Sequence, residues 1–176
     1  SYEEAGTVYR DEAGKAVAPL EYFKEEGWNA IRVRLFVEPD RASAEHKGEG
    51  VCQDLDYVMK LGQRIKKAGY QFMLDFHYSD TWADPGKQFM PYRWKNSGVA
   101  SLPDSVYQYT RKSLEVMVKA GACPDLIQVG NEITNGMMWP AAKVEPLGKD
   151  NWDILVKLLE SGAKACREVC PRATII

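Results

Sequence analysis

The sequence is short of several features that would have assigned it quickly. No apolar run among its 176 residues reaches the length of a membrane-spanning helix, and no basic-then-apolar leader opens the chain. Neither sign of charge dominates: 23 Lys and Arg face 25 Asp and Glu, a net charge of −2, so no basic field marks a nucleic-acid partner. Histidine occurs twice, at His46 and His77, and no Cys-x-x-Cys pair is present, which argues against a Cys/His zinc site. Neither G-x-G-x-x-G nor G-x-x-x-x-G-K-[ST] follows any apolar segment, so the phosphate cradle of a nucleotide-binding sheet is missing. No cofactor and no metal is therefore expected. The four cysteines do not form a disulfide framework either. Cys166 and Cys170 fall four apart on one helical pattern, and Cys52 and Cys123 stand alone near element boundaries; all four read as free thiols in or near a core.

What is present is ordinary globular composition, 45% hydrophobic and 27% charged, with many aromatics placed in loops. Segments 29–37 (NAIRVRLFV), 70–76 (YQFMLDF), 126–129 (LIQV) and 173–176 (ATII) are rich in β-branched and aromatic residues and predict strands. Helical spacing lies between them. A short pattern opens at Leu20 and Phe23, and a second runs Leu55, Val58, Leu61, Ile65 behind Asp54. A third runs Val106, Thr110, Leu114, Met117, and the last Leu155, Leu158, Gly162, Cys166. Alternation of helix and strand predicts an α/β fold with a parallel sheet, in one domain over residues 1–176.

Polar residues gather where the strands end. Arg32 and Arg34 alternate with Ile31, Val33 and Leu35, so both guanidiniums share one side of the strand. They belong either to the wet face of an edge strand or to the mouth of a barrel, where they need carboxylate partners. Asp75 and His77 share a face of the next strand, and Asp75 can pair with either arginine. His77 is suited to a substrate hydroxyl or to a purely structural bond. Asp80, Trp82 and Asp84 follow in the next loop, an indole between two acids: a plausible sugar edge, or simply packing beneath a long loop. At the third strand end stand Asn131 and Glu132. A carboxyl raised in pKa by apolar surroundings there is a potential general acid, and a capping Asn-Glu pair is the alternative.

The run Asp75-Phe76-His77-Tyr78-Ser79-Asp80-Thr81-Trp82-Ala83-Asp84-Pro85, with Gly130-Asn131-Glu132-Ile133-Thr134-Asn135-Gly136 and Trp139-Pro140, resembles glycoside hydrolase family 53. Arg32-Val33-Arg34-Leu35-Phe36-Val37-Glu38-Pro39 and Asn151-Trp152 fit the same pattern. These are the endo-β-1,4-galactanases of arabinogalactan I, retaining enzymes on a (β/α)8 TIM barrel. The resemblance implies that Glu132 is the acid/base and that Asn131 contacts the sugar 2-hydroxyl. It assigns Arg32 or Arg34 and His77 to the substrate-side shell, and Asp80, Trp82, Asp84 and Trp139 to the galactan groove. The expected partner is a β-1,4-galactan polysaccharide, a polymer that places the protein outside the cell, in the periplasm or at the cell surface.

One part of the pattern has no counterpart. A retaining glycosidase needs a second carboxyl as nucleophile, which in this family is a glutamate at the seventh strand, and nothing here matches it. The strand starts are spaced 41, 56 and 47 residues apart. Eight such units need well over about 300 residues. The expectation is a partial barrel covering strands 2–4 and the start of strand 5, with the C-terminal half missing and the fragment alone inactive. A non-catalytic carbohydrate-binding half-barrel that assembles with a partner chain is the alternative; an open α/β domain with structural polar ends is the third.

Overall fold

Each β-rich segment is set off from the next by a capped amphipathic stretch, and this spacing builds the sheet. The computed structural model describes residues 2–42, 50–144 and 151–176, so His46 lies outside the described residues. In chain order the elements are α1 (Pro19–Glu25), β1 (Ala30–Leu35), α2 (Leu55–Lys67), β2 (Gln71–Phe76), α3 (Leu102–Lys119), β3 (Leu126–Val129), β4 (Gly136–Met137), β5 (Ala142–Lys143), α4 (Trp152–Val169) and β6 (Thr174–Ile175). All four predicted strands form, trimmed by no more than two residues at either end.

The main sheet has the order β1-β2-β3-β6, and every pairing is parallel. Parallel neighbours need crossovers, and α2, α3 and α4 supply them. Asp54 caps α2 by accepting a 2.8 Å bond from the Tyr57 amide. The short antiparallel pair β4–β5, which the sequence did not announce, follows β3 directly. Gly136 starts it at φ +84, and a Cβ there would sit 1.9 Å from the Ala142 carbonyl oxygen, so no other residue fits.

Period two gives the sheet two unlike faces. Val33 and Leu35, Phe72, Leu74 and Phe76, and Ile127 and Val129 are buried and belong to the core shared with the helices. Gly62 of α2 lies close enough to Phe72 that a Cβ would meet its ring at 2.8 Å. Gly162 of α4 does the same against Val129, at 2.6 Å. The other face carries Arg32, Arg34, Asp75 and Gln128.

At the N-terminal feet of the strands, Asp125 ties several elements together. Its carboxylate accepts from Lys66 Nζ (2.8 and 2.7 Å) and from the Phe72 amide (2.8 Å), while its carbonyl accepts from Thr174 (2.9 Å). Partial burial pushes this carboxyl up, but the Lys66 bond, the Phe72 amide and the Lys66 charge outweigh it and hold the pKa below the ordinary value. Beside it, Cys123 does not stand alone as the sequence suggested: its Sγ lies 3.4 Å from that of Cys170. All four cysteines are free.

Candidate active site

The polar face of the sheet resolves into one ion cluster. Arg32 Nη2 meets Asp75 Oδ2 at 2.7 Å and donates to Asn131 Oδ1 at 2.7 Å and to Gln128 Oε1 at 3.3 Å. Of the two arginines open to Asp75, Arg32 is thus its partner. Asp75 is wholly buried, and such a carboxylate requires a paired charge. His77 Nε2 approaches the same Oδ2 at 3.2 Å. Arg34 turns instead to Trp82, with its guanidinium carbon 4.6 Å from the ring centroid. Phe36 and His77 each meet the Trp82 ring near edge-on at 5.8 Å.

His77 is buried and Nδ1 accepts from the Ala83 amide at 3.1 Å, which puts the ring proton of the neutral form on Nε2, facing Asp75. Its two nitrogens therefore face the protein, and the ring holds the loop that follows β2. Asp80 does similar work. Its carboxylate, 6% exposed, accepts from the Glu38 amide (2.9 Å) and the Tyr92 amide (2.6 Å), tying the end of β1 to the far side of the loop. Burial pushes its pKa above the ordinary value, opposed by those two amides. Asp84 accepts from the amides of Gly86 (2.8 Å) and Lys87 (3.0 Å) and shapes the turn at the loop tip. The acids flanking Trp82 are loop fasteners.

The end of β3 is held as tightly. Asn131 is buried; besides accepting from Arg32, it donates to the Ala83 carbonyl at 2.6 Å. Glu132 follows in a left-handed conformation, φ 48 and ψ 47, which costs a non-glycine residue about 1–2 kcal/mol. Buried Gln88 stabilises this turn: Nε2 donates to the carbonyls of Asn131 (2.7 Å), Glu132 (3.3 Å) and Asp84 (3.3 Å). Glu132 itself is exposed. The apolar enclosure expected around it is not formed by the described residues.

Trp139 lies on the connection between β4 and β5. Its amide donates to Gln88 O (2.6 Å), its indole Nε1 to Asn135 O (2.8 Å), and Lys143 Nζ sits 4.7 Å from the ring centroid. Trp139, Phe89, Asp80 and Lys95 line a cleft of about 460 Å³ that includes neither Asn131 nor Glu132. Among the described residues no group of three His, Cys, Asp or Glu side chains is placed to hold a metal ion, and no helix is long and apolar enough to cross a membrane.

Comparison with known proteins decides the family. Residues 1–176 match the sequence profile of glycosyl hydrolase family 53. The chain belongs to glycosyl hydrolase family 53. It is 36% identical over 161 residues to a protein of Aspergillus terreus named probable arabinogalactan endo-beta-1,4-galactanase A, covering 92% of this chain and 42% of that one. Its fold superimposes on the family 53 catalytic domain of Ignisphaera aggregans with a TM-score of 0.86 at 35% identity, over 98% of this chain and 46% of that one. A fungal beta-1,4-galactanase structure gives 0.84 at 34% identity, over 99% and 48%. The fold is therefore α/β, and its family 53 neighbours are TIM-barrel domains matched over less than half their length.

Of the nine residues predicted for the family 53 site, Arg32, Arg34, His77, Trp82 and Asn131 meet in one cluster around Asp75. Glu132 adjoins it through Asn131, while Asp80, Asp84 and Trp139 stand further out along the loops. Gln88 and Gln128 escaped the sequence reading. Gln88 sits in a polar loop with no periodicity around it, and nothing short of the three-dimensional approach to Asn131 singles it out. Gln128 was legible in principle, since alternation along β3 puts it on the same face as Arg32 and Asp75.

Proposed function

We propose that the protein carrying this chain is a retaining endo-β-1,4-galactanase that cuts β-1,4-galactan, the substrate class its relatives are named for, with Glu132 as acid/base. The observation that carries the reading is the β3 terminus. Glu132 is presented to solvent in a conformation clamped by Gln88, beside an Asn131 held by Arg32. In the first step Glu132 gives its proton to the departing glycosidic oxygen while a carboxylate attacks the anomeric carbon. In the second, Glu132 takes a proton from the water that releases the glycosyl-enzyme.

The attacking carboxylate must sit about 5–5.5 Å from Glu132. Among the described residues four acids near the strand ends are already engaged: Asp75 with Arg32, Glu38 with Arg93 (2.7 Å), Asp80 with two amides, Asp84 in its turn. The family 53 resemblance gives that role to a glutamate at the seventh strand, which has no counterpart in these 176 residues, and we assign the nucleophile to the remainder of the barrel. Arg34 Nε, buried and without an acceptor among the described residues, is a donor suited to a group arriving from there. Asn131 Oδ1 keeps a lone pair for a sugar hydroxyl, Trp82 and Trp139 offer apolar edges, and His77, Asp80 and Asp84 act by fixing the loop. A polymeric substrate implies that the protein works outside the cytoplasm.

Glu132→Gln tests the assignment in the intact protein. It is expected to lower galactan hydrolysis by more than about 100-fold while leaving oligosaccharide binding by calorimetry within a few-fold. Turnover close to that of the unmodified protein would remove Glu132 from the acid/base role.

A further inference from the structure

At the end of the sheet opposite Glu132, two thiols meet. Cys123 lies on the segment between α3 and β3, and Cys170 closes α4 just before β6. Because β3 and β6 are parallel neighbours, these two segments enter the sheet side by side, and the Thr174 amide to Asp125 carbonyl bond (2.9 Å) fixes their separation. The Cys123 thiol faces Cys170 Sγ at 3.4 Å. We propose that Cys123 and Cys170 form an oxidisable pair that closes to a disulfide by exchange with a low-molecular-weight disulfide such as oxidised glutathione.

The geometry selects this pair over the other two thiols. A disulfide needs sulfurs about 2.05 Å apart, so closure brings these two nearer by about 1.4 Å, beside a helix end where side-chain torsions can follow. Cys166 stands one helical turn before Cys170. Helical neighbours at that spacing hold their Cβ atoms about 5–6 Å apart, beyond the roughly 3.5–4.5 Å a disulfide accepts. Cys52 lies in the β1–α2 connection, at the other end of the sheet.

The exchange balances in two steps. The half-buried Cys123 attacks one sulfur of the reagent as a thiolate, expelling one glutathione thiolate and leaving a mixed disulfide on Cys123. Cys170 then attacks the Cys123 sulfur and expels the second glutathione. Two protein thiols give up two electrons, the reagent accepts them, and both protons leave on the two glutathione thiols. Burial, with Cys123 beside it, pushes the Cys170 thiol far above its ordinary pKa, so the second step is the slow one and quickens with rising pH.

The bond would join two strand entries 47 positions apart and anchor the entry to β6. The test uses the intact protein, incubated with reduced or oxidised glutathione, alkylated, digested and analysed by mass spectrometry. The expected result is a linked peptide joining Cys123 to Cys170 and a rise in Tm of about 5 °C. Cys123→Ser and Cys170→Ser should each abolish both, whereas Cys52→Ser should change neither. A stable glutathione adduct at Cys123 with no internal bond, or a linkage through Cys52 or Cys166, would overturn the proposal.

Discussion

Gln88 shows how much a single amide can govern. Its Nε2 reaches the carbonyls on both sides of the Asn131–Glu132 peptide, and it is the side-chain brace on a left-handed glutamate. Gln88→Ala should free the turn and leave the buried Asn131 carbonyl short of a donor, costing about 1–3 kcal/mol of stability. In the intact protein kcat on galactan should fall about 10–100-fold with KM little changed, because the acid/base loses its aim while the sugar contacts stay. Steady-state kinetics beside a urea melt separates the two effects; equal losses in kcat and stability-corrected KM would mean that Gln88 merely holds the fold. The clusters at this scale were legible where alternation along a strand applied. Period two puts Arg32, Asp75 and Gln128 on the polar side of their strands, while the choice of Arg32 over Arg34 as the partner of Asp75 comes only with the fold. Loop residues carry no such period. Asp80, Asp84 and His77 have the right chemistry for sugar hydroxyls, yet in the fold they accept backbone amides, a distinction that depends on where amides 2 to 42 positions away arrive.

Between helix and sheet, the glycine contact of α4 is tighter than that of α2. Gly162 lies over β3, where an added Cβ would meet Val129 at 2.6 Å and the Tyr78 hydroxyl at 3.0 Å. That hydroxyl is already bonded to Thr110 of α3 at 2.7 Å and buried. Gly162→Ala should therefore destabilise by about 1–2 kcal/mol, although alanine is the better helix former by about 1 kcal/mol. Urea unfolding against the exposed control Lys164→Ala checks it, and a gain in stability would show that the helix can shift outward freely. The helices themselves were readable from 3.6-residue spacing and their strands from β-branched runs. The β4–β5 pair was not, because two-residue strands are too short to show a period and depend on Gly136 tucking under Ala142.

At the scale of the whole molecule, the outer edges of β1 and β6 carry no neighbouring strand among the described residues. Exposed parallel edges of this kind invite association. The chain spans 42% of its Aspergillus terreus relative and 46% of the Ignisphaera aggregans domain, in line with a barrel completed by further sequence. Expressed alone, residues 1–176 should release no galacto-oligosaccharides from β-1,4-galactan, since the seventh-strand glutamate that the family 53 resemblance gives as nucleophile has no counterpart in them. Reducing-end assays after size-exclusion chromatography test this, and sustained release by the monomeric fraction would require a nucleophile within these 176 residues.

The loop after β2 touches nearly everything around it: His77 holds Ala83, Asp80 holds Glu38 and Tyr92, and Gln88 holds Asn131 and Glu132. Such a loop cannot be transplanted by itself. A chimera that borrows it from another family 53 protein has to bring the β3 terminus and the 36–39 segment along, or the borrowed tip will arrive with no surface cut to receive it.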